Sequence, residues 1–146
     1  MFYSRQKSMD TITARQRSIL MGKVRSKNTA PELAVRRALR RAGIRFRMHR
    51  RNLPGRPDII LLEFKTAIFV HGCFWHRHAN CRKTTTPASN RSFWLAKFRA
   101  NRIRDRKASA ALRLLGWSVV IIWECETRSA DALTSKLTSL DIATNQ

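Results

Sequence analysis

The chain has 146 residues, 43% of them hydrophobic, the size of one ordinary domain with enough apolar material to bury a core. Its 30 Lys and Arg stand against 9 Asp and Glu, a formal charge of +21 that repels itself unless a polyanion compensates, and no basic amphipathic helix or lipidation signal directs that charge to a membrane. The apolar runs at 59–62, 67–70 and 119–123 fall far short of the roughly 18 residues a span needs, which excludes a helical membrane protein and leaves nucleic acid, DNA or RNA, as the expected partner.

The opening MFYSRQKSMD carries charge without a following apolar block, so it does not read as a secretory signal, and a cytoplasmic home is expected. Residues 1–27 form a basic arm in which Ile19, Leu20, Met21 and Val24 are spaced for a short helix, and the arm is expected to lie on DNA. Residues 28–146 form a single domain. In it Thr29-Ala-Pro-Glu32 supplies an N-cap, an early proline and a glutamate three residues after the cap. These predict a helix running to Gly43, with Val35, Ala38, Leu39 and Ala42 inward.

Residues 58–63 and 67–70 are short β-prone runs around Phe64-Lys65-Thr66, which predicts a hairpin. A loop rich in Cys and His follows. A long, strongly basic helix is expected over 92–115, ended by Gly116, with its outer face near phosphates. Residues 117–123 read as a buried strand and 130–140 as a closing amphipathic helix.

Asp58, in Leu53-Pro-Gly-Arg-Pro-Asp58-Ile-Ile, places a carboxylate at the mouth of an apolar strand. A turn aspartate bonding its own backbone would explain it equally well. Phosphodiester hydrolysis, however, needs a hard cation, and carboxylates anchor one, which makes Asp58 the candidate anchor for Mg²⁺. Proline-aspartate before a strand resembles the restriction-endonuclease-like superfamily, and Glu63-Phe-Lys65 matches its second signature in letters. Five positions along one strand nevertheless separate Asp58 from Glu63 by about 16 Å and put them on opposite faces, so Glu63 and Lys65 are read as polar turn residues. A loop centred on Phe64-Lys65 puts Asp58 opposite His71, so His71 or the Val70 backbone is expected beside it.

Cys73, His76, His78 and Cys81 lie within nine residues, and Cys125 closes the late strand. Three thiolates and one imidazole make a closed tetrahedral site, structural Zn²⁺ rather than catalytic, although spacing does not decide between His76 and His78 as the fourth ligand. Phe74 and Trp75 in this loop, and Trp94 at the start of the long helix, are either core or wedges that unstack base pairs.

The segment Phe69-Val-His-Gly-Cys-Phe-Trp-His-Arg-His78, with GRPDII before it and FWLAKFRANRIRDR and VIIWECE after it, resembles the very short patch repair endonucleases over about residues 18–128. The resemblance implies an α/β, restriction-endonuclease-like mixed sheet flanked by helices, with a structural zinc site. It also implies Mg²⁺ on Asp58 and the Val70 carbonyl, Zn²⁺ on Cys73, His78, Cys81 and Cys125, and His76 as the imidazole that takes a proton from attacking water. His71 matches a second active-site histidine. Glu32 matches a glutamate near the active site, and serves equally as a capping partner of Thr29. Asn101 and Asp105 match further family positions, but a solvated helix face explains them as well.

Val70 stands where the best-known member has threonine, which changes little if the backbone oxygen is the ligand. The stretch from His78 to Cys81 has one more intervening residue than in that member. The implied activity is nicking of one strand of double-stranded DNA, 5′ of the thymine at a T:G mismatch, with aromatics inserted beside the mismatch. A monomer is the working expectation, with mismatch-repair proteins as candidate partners. The rival reading is a zinc-stabilised nucleic-acid-binding module without catalysis, which needs the charge and the cysteines but not Asp58 or His76.

Overall fold

A computed structural model describes residues 27–144, with side chains through residue 140. The expected arm and its short helix, apart from Lys27, lie outside the described residues. Helix α1, Ala30–Arg41, starts where the sequence predicts: Thr29 Oγ1 accepts from Glu32 N at 3.4 Å and Pro31 occupies the first turn. It ends as Gly43 N and Ile44 N turn back to the carbonyls of Arg40 and Leu39 at 3.1 and 3.0 Å. Val35, Ala38 and Leu39 are buried; Ala42, expected inward, is the exposed C-cap.

Four strands form one sheet in the order β1 (Arg47–Met48), β2 (Ile59–Leu61), β3 (Thr66–His71), β4 (Ser118–Trp123). The first three pair antiparallel, and β4 runs parallel to β3 with Thr66 opposite Ser118 and His71 opposite Trp123. The return from β3 to β4 carries a one-turn helix α2 (Cys73–His76) and the long helix α3 (Arg91–Leu114). Such a crossover is what a parallel pair requires. A 3₁₀ turn (Glu124–Thr127) and helix α4 (Ala130–Thr144) close the described chain. Gly116, at φ +85°, takes the left-handed conformation that stops α3, with Trp117 N bonded to Leu112 O at 3.0 Å.

Strand alternation sorts side chains to two faces. Ile59, Leu61, Ile68 and Ile122 pack with Val35 and Leu39 of α1 and Leu133 and Leu137 of α4, while Ile60, Ala67 and Phe69 pack with Leu112 of α3. The sheet is therefore covered on both sides, which is why β2 reads as an unbroken apolar run rather than an alternating one. Each fully buried Leu or Ile here contributes roughly 1.5–3 kcal/mol. Residues 117–123, expected as a buried strand, form an edge of the described sheet in which only Ile122 is fully enclosed.

The hairpin register differs from the expectation. Lys65 N bonds Leu62 O at 3.2 Å and Lys65 adopts φ +46°, so the turn spans 62–65 and Ile59 pairs with Ile68. Continuing that register puts Asp58 opposite Phe69 rather than His71. Centring the turn one residue earlier, on Glu63-Phe64, is the cause. Glu63 and Lys65 are exposed turn residues, as read.

Candidate active site

Asp58 enters β2 from a turn fixed by Gly55, whose φ of +72° suits glycine and whose missing Cβ would collide with Ala108 Cβ of α3. The turn thus packs directly on α3. Asp58 Oδ2 accepts from Val70 N at 2.7 Å, and among the described residues its Oδ1 accepts no hydrogen bond. Burial pushes the Asp58 carboxyl up to about 6, against the Val70 hydrogen bond that lowers it; the charge of Glu32 adds to the rise.

Glu32, 3% exposed, lines the same cleft of about 1000 Å³ as Asp58, His71 and His76. It also has a capping role, shifted by one residue from the expected reciprocal box: its Oε2 accepts from Asn28 N at 3.0 Å, while Thr29 accepts from Glu32 N.

Across the cleft, His71 and His76 stack with centroids 3.9 Å apart and planes 8° from parallel. Asp105 of α3 meets both, at 2.7 Å from His76 Nδ1 and 4.0 Å from His71 Nε2. Burial first, and then the neighbouring His76, lower His71 to about 4, so it is neutral at physiological pH. Burial works to raise Asp105, but the hydrogen bond it accepts from His76 and the nearby charge of Arg104 help to outweigh it and hold the carboxyl below its ordinary range. An ionised Asp105 accepts, so His76 donates from Nδ1 and its lone pair resides on Nε2.

In the sequence Asp105 matched a family position, but as one acid on a basic helix it could equally have been a solvated face. Asn101, four residues before it, donates from Nδ2 to Trp75 O at 3.1 Å. The i, i+4 spacing of the two is the signal that one helix face turns inward. Neither is a solvated ornament.

The second constellation is drawn from the start of α2, the loop after it and the 3₁₀ turn that follows β4. The ligand atoms of Cys73, His78, Cys81 and Cys125 all lie within 4.8 Å of one another. His78 Nδ1 is 3.6 Å from Cys73 Sγ and 3.4 Å from Cys125 Sγ. His76 belongs to the cleft and His78 to the thiols, a division made by Arg77 at φ +58°, which ends α2 and turns the chain between them. Trp123 lies between the two sites, stacked on His78 at 4.3 Å and edge-on to His71 at 5.4 Å.

Phe74, Trp75 and Trp94 form one aromatic cluster with Phe98. Trp94, expected as part of a wedge, is 7% exposed with its indole N–H enclosed and unbonded, so as placed it is packing; Phe74 and Trp75 are half-buried. Arg77 lies over the Phe98 ring at 4.0 Å and fixes the cluster's far side.

A desolvated carboxylate facing an imidazole–carboxylate pair across an open cleft, in a strongly basic mixed α/β domain, defines a hydrolytic enzyme acting on a polyanion. Comparison with known proteins gives the family. The sequence model of the family described as DNA mismatch endonuclease Vsr matches residues 9–83. The chain is 46% identical over 131 residues to the type II nicking enzyme V.XorIIP of Xanthomonas oryzae pv. oryzae, covering 90% of this chain and 96% of that one. It is 41% identical over 120 residues to the DNA mismatch endonuclease Vsr of Escherichia coli K12, covering 82% and 76%. With V.NmeAIP of Neisseria meningitidis, a type II nicking enzyme, it shares 40% over 131 residues, covering 90% and 93%. The chain belongs to the Vsr family of DNA mismatch endonucleases.

Proposed function

We propose that this protein nicks one strand of duplex DNA on the 5′ side of the thymine at a T:G mismatch of the kind left by 5-methylcytosine deamination, by Mg²⁺-dependent hydrolysis in a restriction-endonuclease-like site. The observation that carries the reading is the convergence of Asp58, His71, His76 and Asp105 on one cleft. The DNA-binding module without catalysis would have no use for that convergence.

Asp58 and the Val70 carbonyl are the residues that would hold magnesium, with Glu32 beside them. The fit is chemical: burial leaves the Asp58 carboxylate under-compensated, and a hard cation is the compensation its oxygens favour. Bound magnesium would offset phosphate charge and activate water. His76 Nε2 takes the proton of the attacking water, while Asp105 holds the ring through Nδ1 and stabilises the imidazolium that results. His71, neutral and stacked on that ring, would donate to an oxygen of the scissile phosphate without competing for the proton.

Cys73, His78, Cys81 and Cys125 would hold a structural Zn²⁺. Tetrahedral zinc with Zn–S of about 2.3 Å and Zn–N of about 2.0–2.1 Å separates sulfur from nitrogen by about 3.5 Å. The observed 3.6 and 3.4 Å support that occupant. Phe74 and Trp75, the half-buried members of the aromatic cluster, would wedge the base stack over Trp94, which a mismatch makes easier, and Arg104 and Lys107, which line the cleft, would grip phosphates. Nicking of end-labelled T:G and matched duplexes, with magnesium and with EDTA, tests the reading. Cleavage of the mismatched strand alone, dependent on magnesium, is expected; equal cleavage of both duplexes, or none of either, rejects it.

A further inference from the structure

Arg36 stands apart from the other cations of this chain: among the described residues it is the only Lys or Arg that is buried, at 5% exposure. It cannot reach a DNA phosphate from there. Enclosing a guanidinium is costly, and this one is incompletely repaid, since its Nε has no partner. Its other contacts all converge on the edge of the cleft. Nη2 donates to Glu32 Oε2 at 3.2 Å, Nη1 donates to Asn28 Oδ1 at 2.8 Å, and Nη2 also lies 3.2 Å from His49 Nε2.

For that last contact to be a hydrogen bond, His49 must carry its proton on Nδ1 and offer Nε2 as acceptor. The His49 backbone in turn donates to Asp58 O at 3.3 Å, which ties the guanidinium to the strand that bears the cleft carboxylate.

The consequence falls on Glu32. Its Oε2 is held twice, by Arg36 and by Asn28 N, whereas among the described residues its Oε1 accepts no hydrogen bond. The charges of both Glu32 and Arg36 reach Asp58, with opposite signs.

We propose that Arg36 is a positioning residue of the active site: it grips one oxygen of Glu32 from behind, keeps that carboxylate oriented beside Asp58, and is itself fixed by Asn28 and His49. The proposal rests on the reading above that Glu32 works with Asp58.

The test is single-turnover nicking of a T:G duplex at saturating protein and magnesium, with duplex affinity and melting temperature measured on the same samples. Arg36→Met should slow nicking by about 10-fold or more, Glu32→Gln should slow it too, and the double variant should be no slower than Glu32→Gln alone, because Arg36 acts through Glu32. Duplex affinity should stay within about twofold. His49→Gln, which keeps an acceptor, should nick near the wild-type rate where His49→Phe does not, and this pair carries the test if Arg36→Met fails to fold. Full activity of Glu32→Gln would remove the reading of Glu32. A slow Glu32→Gln on which Arg36→Met imposes its whole loss again, or an Arg36→Met that loses duplex affinity, would overturn the role of Arg36 alone.

Discussion

The thiol cluster and the carboxylate cleft are built from neighbouring stretches of the same chain, yet they are finished differently. Around His78 the four ligand atoms are close enough to one another to enclose an ion completely. Around Asp58 the polar groups line an open volume of about 1000 Å³ and leave carboxylate oxygens unengaged. A closed shell stabilises and an open one reacts. With zinc bound as proposed, three cysteines and a histidine would hold the α2 loop to the end of β4, and that loop presents His76 to Asp105. Trp123, in contact with His78 on one side and His71 on the other, is where the two regions touch.

The comparison breaks most visibly at the closed site. Cys125→Ser is expected to lose zinc and fold together, with melting lowered by on the order of 10 °C or more, because metal affinity here is folding free energy. Metal analysis and a thermal melt check it, and full zinc retention would remove Cys125 from the site. At the open site the opposite pattern is expected: His76→Ala should slow single-turnover nicking by about 10²–10⁴-fold while fold, zinc and duplex binding persist. Asp105→Ala leaves the imidazole in place but unheld, so a smaller loss, about 10- to 100-fold, is expected in the same assay.

The smallest effect is a gain. The folded Asp58 carboxyl, at about 6, binds its proton more tightly than the unfolded chain's at 3.8, so its ionisation costs stability. That cost is absent below about pH 4, grows as pH rises, and is complete above about pH 6. Without magnesium at pH 7, Asp58→Asn should therefore raise stability by at most on the order of 3 kcal/mol, a gain that disappears at pH 4. Thermal melts at the two pH values read it directly.

Sequence reasoning reached the elements where local rules govern. Thr29, Pro31 and Glu32 announce a helix start, and Gly116 its end, because capping is satisfied within a few residues. It failed where one residue of phase decides. The hairpin turn closes one position earlier than expected, so the ladder puts Phe69 and not His71 opposite Asp58, while the Val70 backbone meets Asp58 as expected. The choice between His76 and His78 was hidden for a related reason: the left-handed Arg77 between them is a backbone fact with no letter to mark it. Arg36 was lost among basic neighbours, and Asp105, though it matched a family position, could not be told from a solvated helix face. Their roles depend on burial, and an acid or a guanidinium on an amphipathic helix reads as surface until its neighbours are known.

The central claim is that the closed site folds the protein and the open site cuts DNA, with Asp58 as the anchor of the second. Single-turnover nicking of a T:G duplex by Asp58→Ala, on protein whose zinc content, melting and duplex affinity are measured in the same preparation, addresses it most directly. The account expects nicking to vanish while the other three quantities hold. Nicking at the wild-type rate, or a loss of zinc along with activity, would contradict it.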